Sequence, residues 1–158
     1  EFQGKIEAAC ATRRDPDLLV IARCEALIAG LGQDEALSRS AAYCEAGADM
    51  ILIHSKQKTP DEVESFIRAW DNPVPIVVVP TAYPDFTIAR MKALGKIAIA
   101  IWGNHAIRAA VTAMQQVFAQ ILKDGGIQGV DQAIVPVDEI FRLQGMDRVK
   151  RDESRFLR

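Results

Sequence analysis

At 158 residues, with 49% hydrophobic and 25% charged side chains, the chain is long enough for one ordinary domain with a substantial core, and its composition is that of a soluble globular protein. A net charge of -2 argues against nucleic acid or an anionic membrane surface as partner, and no apolar run approaches the roughly 20 residues that span a bilayer. No secretory leader pattern is visible, and Cys10, Cys24 and Cys44 show no CxxC spacing, so they read as reduced core residues of a cytoplasmic protein.

The chain begins at Glu1, without Met and already inside a helical pattern, as expected of part of a longer polypeptide. Phe2, Ile6, Ala9 and Cys10 fall at helical spacing and predict a helix over residues 1–13. Asp15-Pro16-Asp17 is turn chemistry, and Leu18–Ala22 is then an apolar run without alternation, the mark of a strand buried on both faces. Arg23-Cys24-Glu25 follows it. Residues 34–46 read as a helix with Leu37, Ala41 and Cys44 on one side and Gly47 as its stop.

Met50–Ile53 is a second strand, with His54-Ser55-Lys56 at its end. Thr59, Pro60 and Glu62 have the spacing of a capping box, and Val63, Phe66, Ile67 and Trp70 define one apolar face of the helix that follows. Residues 75–79 form a third strand ending at Pro80-Thr81, Ala82-Tyr83-Pro84 is a loop, and residues 85–94 form a short helix closed by Gly95. A fourth strand covers residues 97–101, followed by Trp102-Gly103-Asn104-His105. Ile107, Val111, Met114, Phe118 and Ile121 then mark a long apolar helix face. Beyond Gly129 the rhythm breaks: Val137, Ile140, Phe141 and Leu143 predict another short helix, and the charged end an exposed arm.

Four strand–helix units in succession give an α/β fold with a parallel sheet. Four units are half of a (β/α)8 TIM-type barrel, which when complete needs roughly 250 residues. The expected organisation is a half-barrel over residues 1–128 and a C-terminal helical arm over 129–158. A flat doubly wound sheet is the competing architecture. Polar groups after all four strands favour the barrel, and no GxGxxG or P-loop pattern argues for a nucleotide fold.

The strand ends carry Arg23 and Glu25, then His54, Ser55 and Lys56, then Thr81, then Asn104 and His105. In a parallel barrel these converge on one rim. Arginine offers a planar fork of donors for phosphate, phosphonate or carboxylate, and a neighbouring histidine can donate a hydrogen bond or move a proton near neutral pH. Such a rim suits a small, doubly anionic molecule. Plainer readings stand beside this one. Arg23 can simply pair with Glu25, which itself reads best as a structural rim residue. His54 can be a loop or capping histidine, Ser55 and Lys56 loop residues, and Thr81 and Asn104 helix caps, with His105 at a helix start. No nucleophile–His–acid set and no metal-ligand cluster can be assembled from spacing.

Several stretches carry a resemblance. Glu1–Ile6, Ile21–Gly30 (with Ala22-Arg23-Cys24-Glu25-Ala26), Ala46–Lys56, Val79-Pro80-Thr81 and Gly103-Asn104-His105 resemble the phosphoenolpyruvate mutase and phosphonopyruvate hydrolase family of the isocitrate lyase superfamily. Ala82-Tyr83-Pro84 and Trp102–Ala110 look closer to the hydrolase. The resemblance runs through nearly the whole chain. It implies a (β/α)8 barrel assembled as dimers or tetramers through exchanged last helices, Mg2+, and a small phosphonate or 2-oxo acid substrate. Arg23 and His54 match the residues that hold the phosphonyl group, with Thr81 as a further substrate contact and Glu25 and Asn104 behind them.

What the resemblance implies for the reaction is cleavage of the carbon–phosphorus bond of phosphonopyruvate, by hydrolysis or, alternatively, by mutase isomerisation to phosphoenolpyruvate. Lyase and decarboxylase activities rank lower, because those relatives typically lack a histidine at the His54 position. The family's Mg2+-binding carboxylates and lid belong to the first four units of the barrel, so no metal ligand is expected in this chain. The chain alone is then expected to be inactive, with two open sheet edges and an exposed apolar interior. A non-catalytic half-barrel that pairs as an assembly module is the alternative of another class.

Overall fold

The computed structural model describes residues 1–157, which fall into two units that divide between His105 and Ala106. The first unit opens with α1 (Phe2–Thr12) and contains four strands, β1 (Ile21–Cys24), β2 (Met50–Ile53), β3 (Ile76–Val78) and β4 (Ile97–Ala100). Between consecutive strands run α2 (Gln33–Glu45), α3 (Asp61–Ala69) and α4 (Ile88–Ala93). The strands lie in the order β1-β2-β3-β4 and every pair is parallel. Each crossover therefore moves one place in the same direction. Right-handed crossovers that never reverse put all the helices on one face, whereas a doubly wound sheet must reverse its order somewhere. The order excludes the doubly wound alternative and is that of four successive units of a (β/α)8 barrel.

Burial alternates along β1 and β2. Ala22 and Cys24, Ile51 and Ile53, and Ile76 and Val78 are buried in one cluster with Ile6 of α1, Ala36 of α2 and Val63, Phe66 and Ile67 of α3. Trp70, stacked on Phe66 at a centroid distance of 5.5 Å, completes the apolar face expected of α3. On the opposite face Ile21 is 40% exposed and Arg23 is exposed, while Val77, though buried, stands apart from the helix-side cluster.

Two expectations need correction here. The first strand begins at Ile21, not Leu18, and is not buried on both faces. Leu18 donates its N–H to Asp15 O at 3.2 Å, within the turn, and the pairing with β2 starts only at Ile21↔Met50. Leu18 and Leu19 therefore stay exposed, and Arg23 is a strand residue instead of following the strand. The capping box does not form either. Pro60 occupies the cap position of α3 with its carbonyl accepting from Glu64 N–H at 2.8 Å, the Thr59 hydroxyl donates to Asp61 at 2.8 Å, and Glu62 is engaged by Ser55.

The second unit contains the body of α5 (His105–Asp124), then α6 (Val137–Leu143) and α7 (Met146–Phe156). Gly125, at φ +66°, ends α5 in the left-handed conformation that glycine adopts without strain. Ile107, Val111, Met114 and Phe118 are exposed, and among the described residues of this unit Val130 is the only buried apolar one. The charged end forms the helix α7. No helix of the described residues is long and apolar enough to cross a membrane.

Candidate functional site

The register between β1 and β2 pairs Arg23 with Leu52 and Cys24 with Ile53, so Glu25 and His54 leave adjacent strands at the same level. Arg23 faces the uncovered side of the sheet and donates its Nε–H to Glu25 Oε1; both side chains are about half exposed. The plainer reading of Arg23 is thus seen directly. It leaves both terminal nitrogens of the guanidinium without a protein partner among the described residues.

His54 is half-buried, and its Nδ1 is enclosed without a hydrogen-bond partner among the described residues. Its pKa lies below the ordinary value of 6.5. Burial is the main cause, the Arg23 charge adds to it, and Glu25 opposes it. The imidazole is therefore neutral at pH 7.

Ser55, expected as an ordinary loop residue, is fully buried. Its N–H donates to Tyr83 Oη at 3.1 Å, and Tyr83 Oη donates back to the Ser55 carbonyl at 2.6 Å. The Ser55 hydroxyl donates to Glu62 Oε2 and accepts from Gln57 N–H at 3.1 Å. Lys56 is exposed, as a loop residue should be. Tyr83 follows a short 3-10 turn at Pro80–Ala82, donates its N–H to Pro80 O at 3.0 Å, and places its ring 5.7 Å from the His54 ring and 6.5 Å from Phe86.

Thr81 is half-buried in that turn. It does not cap α4; Thr87 does, accepting from Arg90 N–H at 3.3 Å. Thr81 Oγ1 instead accepts from Gly103 N–H at 3.3 Å and so ties the ends of β3 and β4 together. Asn104 and His105 are exposed at the start of α5. The ends of β1 and β2 thus gather Arg23, Glu25 and His54, while Thr81 joins the β4 end through backbone. Tyr83 and Glu62 were not expected at the site: Glu62 was read as a capping-box residue and Tyr83 as part of a loop. A chemical signal was available for Tyr83: a tyrosine beside Pro84, if buried, must find a partner for its hydroxyl.

Among the described residues no group of three or more His, Cys, Asp or Glu could hold a metal ion. A Mg2+ site built from three such protein ligands is therefore not formed by the described residues.

The phosphoenolpyruvate phosphomutase family model matches residues 1–122. Phosphonopyruvate hydrolase of Variovorax sp. (strain Pal2) is 60% identical over 158 residues, covering 100% of this chain and 54% of that protein. Phosphoenolpyruvate phosphomutase of Streptomyces viridochromogenes is 46% identical over 156 residues, covering 99% of this chain and 50% of that protein. A crystal structure of phosphonopyruvate hydrolase in complex with oxalate and Mg2+ superposes with a TM-score of 0.97 at 60% identity, over 100% of this chain and 56% of that one. The chain spans about half the length of the curated relatives it matches.

Proposed function

This chain belongs to the phosphoenolpyruvate phosphomutase family, and we propose that it is the C-terminal half of the catalytic barrel of a phosphonopyruvate hydrolase, which splits phosphonopyruvate with water into pyruvate and phosphate. The observation that carries the reading is the 60% identity to a phosphonopyruvate hydrolase along the whole chain, against 46% to a phosphomutase. In this reading the half-barrel covers residues 1–128 and residues 129–158 are the arm.

Arg23 binds the phosphonyl group through its two terminal nitrogens, while Glu25 holds the Nε edge and fixes the plane of the fork. His54 acts as a neutral donor. An enclosed nitrogen without a partner is less costly as a lone pair than as an N–H, so the proton sits on Nε2 and that edge meets a phosphonyl oxygen. Placed donors of this kind are what a loose phosphoryl transition state needs. Thr81 contributes through the backbone it fixes at Gly103, and Asn104 supports the rim. No step is assigned to Mg2+. Its ligands, in this reading, belong to the part of the relatives' length that the chain does not span.

The assembly is a cytoplasmic homodimer or tetramer; the three free cysteines and the exposed Ile107, Val111, Met114 and Phe118 of α5 are the support for this. The test is a product assay on the full-length polypeptide with phosphonopyruvate and Mg2+. Stoichiometric pyruvate and phosphate are expected. Phosphoenolpyruvate without free phosphate would reassign the protein as a mutase, and no turnover at all would favour a non-catalytic assembly module.

A further inference from the structure

The hydrogen-bond ladder between β2 and β3 ends at Ile53↔Val78. Beyond it the chain runs through His54 to Ser55, whose backbone is fully buried where no strand neighbour remains to satisfy it. An unpaired buried N–H or carbonyl is costly, so the position of this segment depends on what replaces the ladder. One hydroxyl does so. Tyr83 Oη accepts from Ser55 N–H at 3.1 Å and donates to Ser55 O at 2.6 Å, standing in for a neighbouring strand residue. The same side chain lays its ring against the His54 imidazole, 5.7 Å between centroids at 46°, and is itself buried and backed by Phe86.

We propose that Tyr83 is a positioning residue for His54: its hydroxyl replaces the missing strand partner of Ser55 and its ring sets the imidazole, so that the end of β2 is held rigid by a side chain delivered from the end of β3. This deepens the function proposed above and rests on it for the role of His54, but not for the clamp itself. The imidazole also feels the charges of Arg23 on β1 and of Glu25 just beyond it. Neither charge touches Ser55, so loosening the clamp alters His54 chiefly through water access. Burial is what holds this imidazole below its ordinary pKa, and a loosened segment therefore titrates higher.

The experiment uses the full-length polypeptide and Tyr83→Phe, which keeps the ring and deletes the hydroxyl. Amide exchange at Ser55 is expected to accelerate at least about 10-fold through local opening. The His54 titration, followed by NMR, is expected to rise by about 0.3 unit or more. Loss of position should lower kcat/KM on phosphonopyruvate by about 10-fold or more. Ser55→Ala keeps both Tyr83 bonds and removes only the hydroxyl's links to Glu62 and Gln57, so its His54 titration should stay within about 0.1 unit of the parent. An unchanged titration and unchanged Ser55 exchange in Tyr83→Phe would overturn the proposal, as would an equal shift in Ser55→Ala. Should Tyr83→Phe not fold, the parent protein decides alone: a Ser55 amide that exchanges as fast as that of exposed Lys56 refutes the clamp, and a protected one supports it. A parent protein that fails to turn over phosphonopyruvate refutes the functional reading, and the exchange and titration still judge the clamp.

Discussion

The two faces of the four-stranded sheet are made from the same kind of residue and differ in how far they are covered. Cys24, Ile51, Ile53 and Ile76 on one face have no exposed surface, while Ile21 on the other is 40% exposed. Their side chains do not explain the difference. The first face is covered by helices that the chain itself supplies through one-way crossovers. The second would be the interior of a closed barrel, and the strands that would close it are not among these four. Arg23 stands on that second face. Stability in this chain therefore resides on one side of the sheet, and the proposed chemistry on the other and at its rim.

That separation can be broken from either side. Arg23→Ala in the full-length polypeptide is expected to lower kcat/KM on phosphonopyruvate by about 1000-fold, since it removes the fork assigned to the phosphonyl group. Its urea midpoint should be nearly unchanged, because the pair it loses with Glu25 is half exposed. Near-normal turnover would refute the site assignment. Ile53→Ala, one strand over and on the covered face, should do the reverse in stability, costing about 3 kcal/mol through the cavity it leaves. Ile21→Ala in the 158-residue chain should cost only about 0.5 kcal/mol. In the full-length polypeptide the Ile21 cost should rise to about 2 kcal/mol if a closed barrel covers that face. An equal, small cost in both would mean that the open face is never covered.

The same contrast explains what could be read in advance. β2 was legible to the residue, because Met50–Ile53 is an apolar run with a glycine turn before it and polar residues after it. β1 was not, because Leu18 and Leu19 are as apolar as strand residues but have no partner beside them; pairing, not hydropathy, sets that boundary. An uninterrupted apolar run also looks the same whether its second face meets helices, the rest of a barrel or solvent. The family was legible from long ordered motifs around Arg23 and His54, and the family match bears it out. The roles of those two residues came from that resemblance and not from spacing. The contacts of Tyr83 and Glu62 with Ser55 were not legible, because Ser55 lies in a loop 28 residues upstream of one and seven upstream of the other, and such contacts leave no periodic trace.

The covered side also carries a charged cluster between α3 and α4, in which Arg90 reaches both Glu64 and, at 3.9 Å, Asp61. Glu64 of α3 is almost fully buried and accepts from Arg90 of α4, with Arg68 at 3.4 Å. Both guanidiniums are considerably more exposed than the carboxylate, which limits what the pair contributes. Glu64→Gln keeps the shape and deletes the charge. A fall in Tm of about 3 °C is expected, shrinking in high salt, with turnover unaffected. A salt-independent loss would mean that packing, not charge, joins the two helices.

The smallest effect expected is at His54, where the two sides meet. Folding pushes this imidazole below its ordinary value of 6.5, so the unfolded chain binds the proton more readily than the folded one. The stabilisation is therefore fully present above pH 6.5 and is lost as the pH falls from there through the folded-state value. His54→Asn cannot titrate, and its urea midpoint should fall less than the parent's between pH 7 and about 5. Glu25→Gln should act in the opposite sense. It removes the carboxylate that raises the His54 pKa and leaves the Arg23 charge that lowers it, so the imidazole should titrate still lower and the acid sensitivity should steepen. Parallel pH profiles for the parent and both variants would mean that the Arg23–Glu25 pair does not reach the imidazole, and the rim would then be two separate structures instead of one.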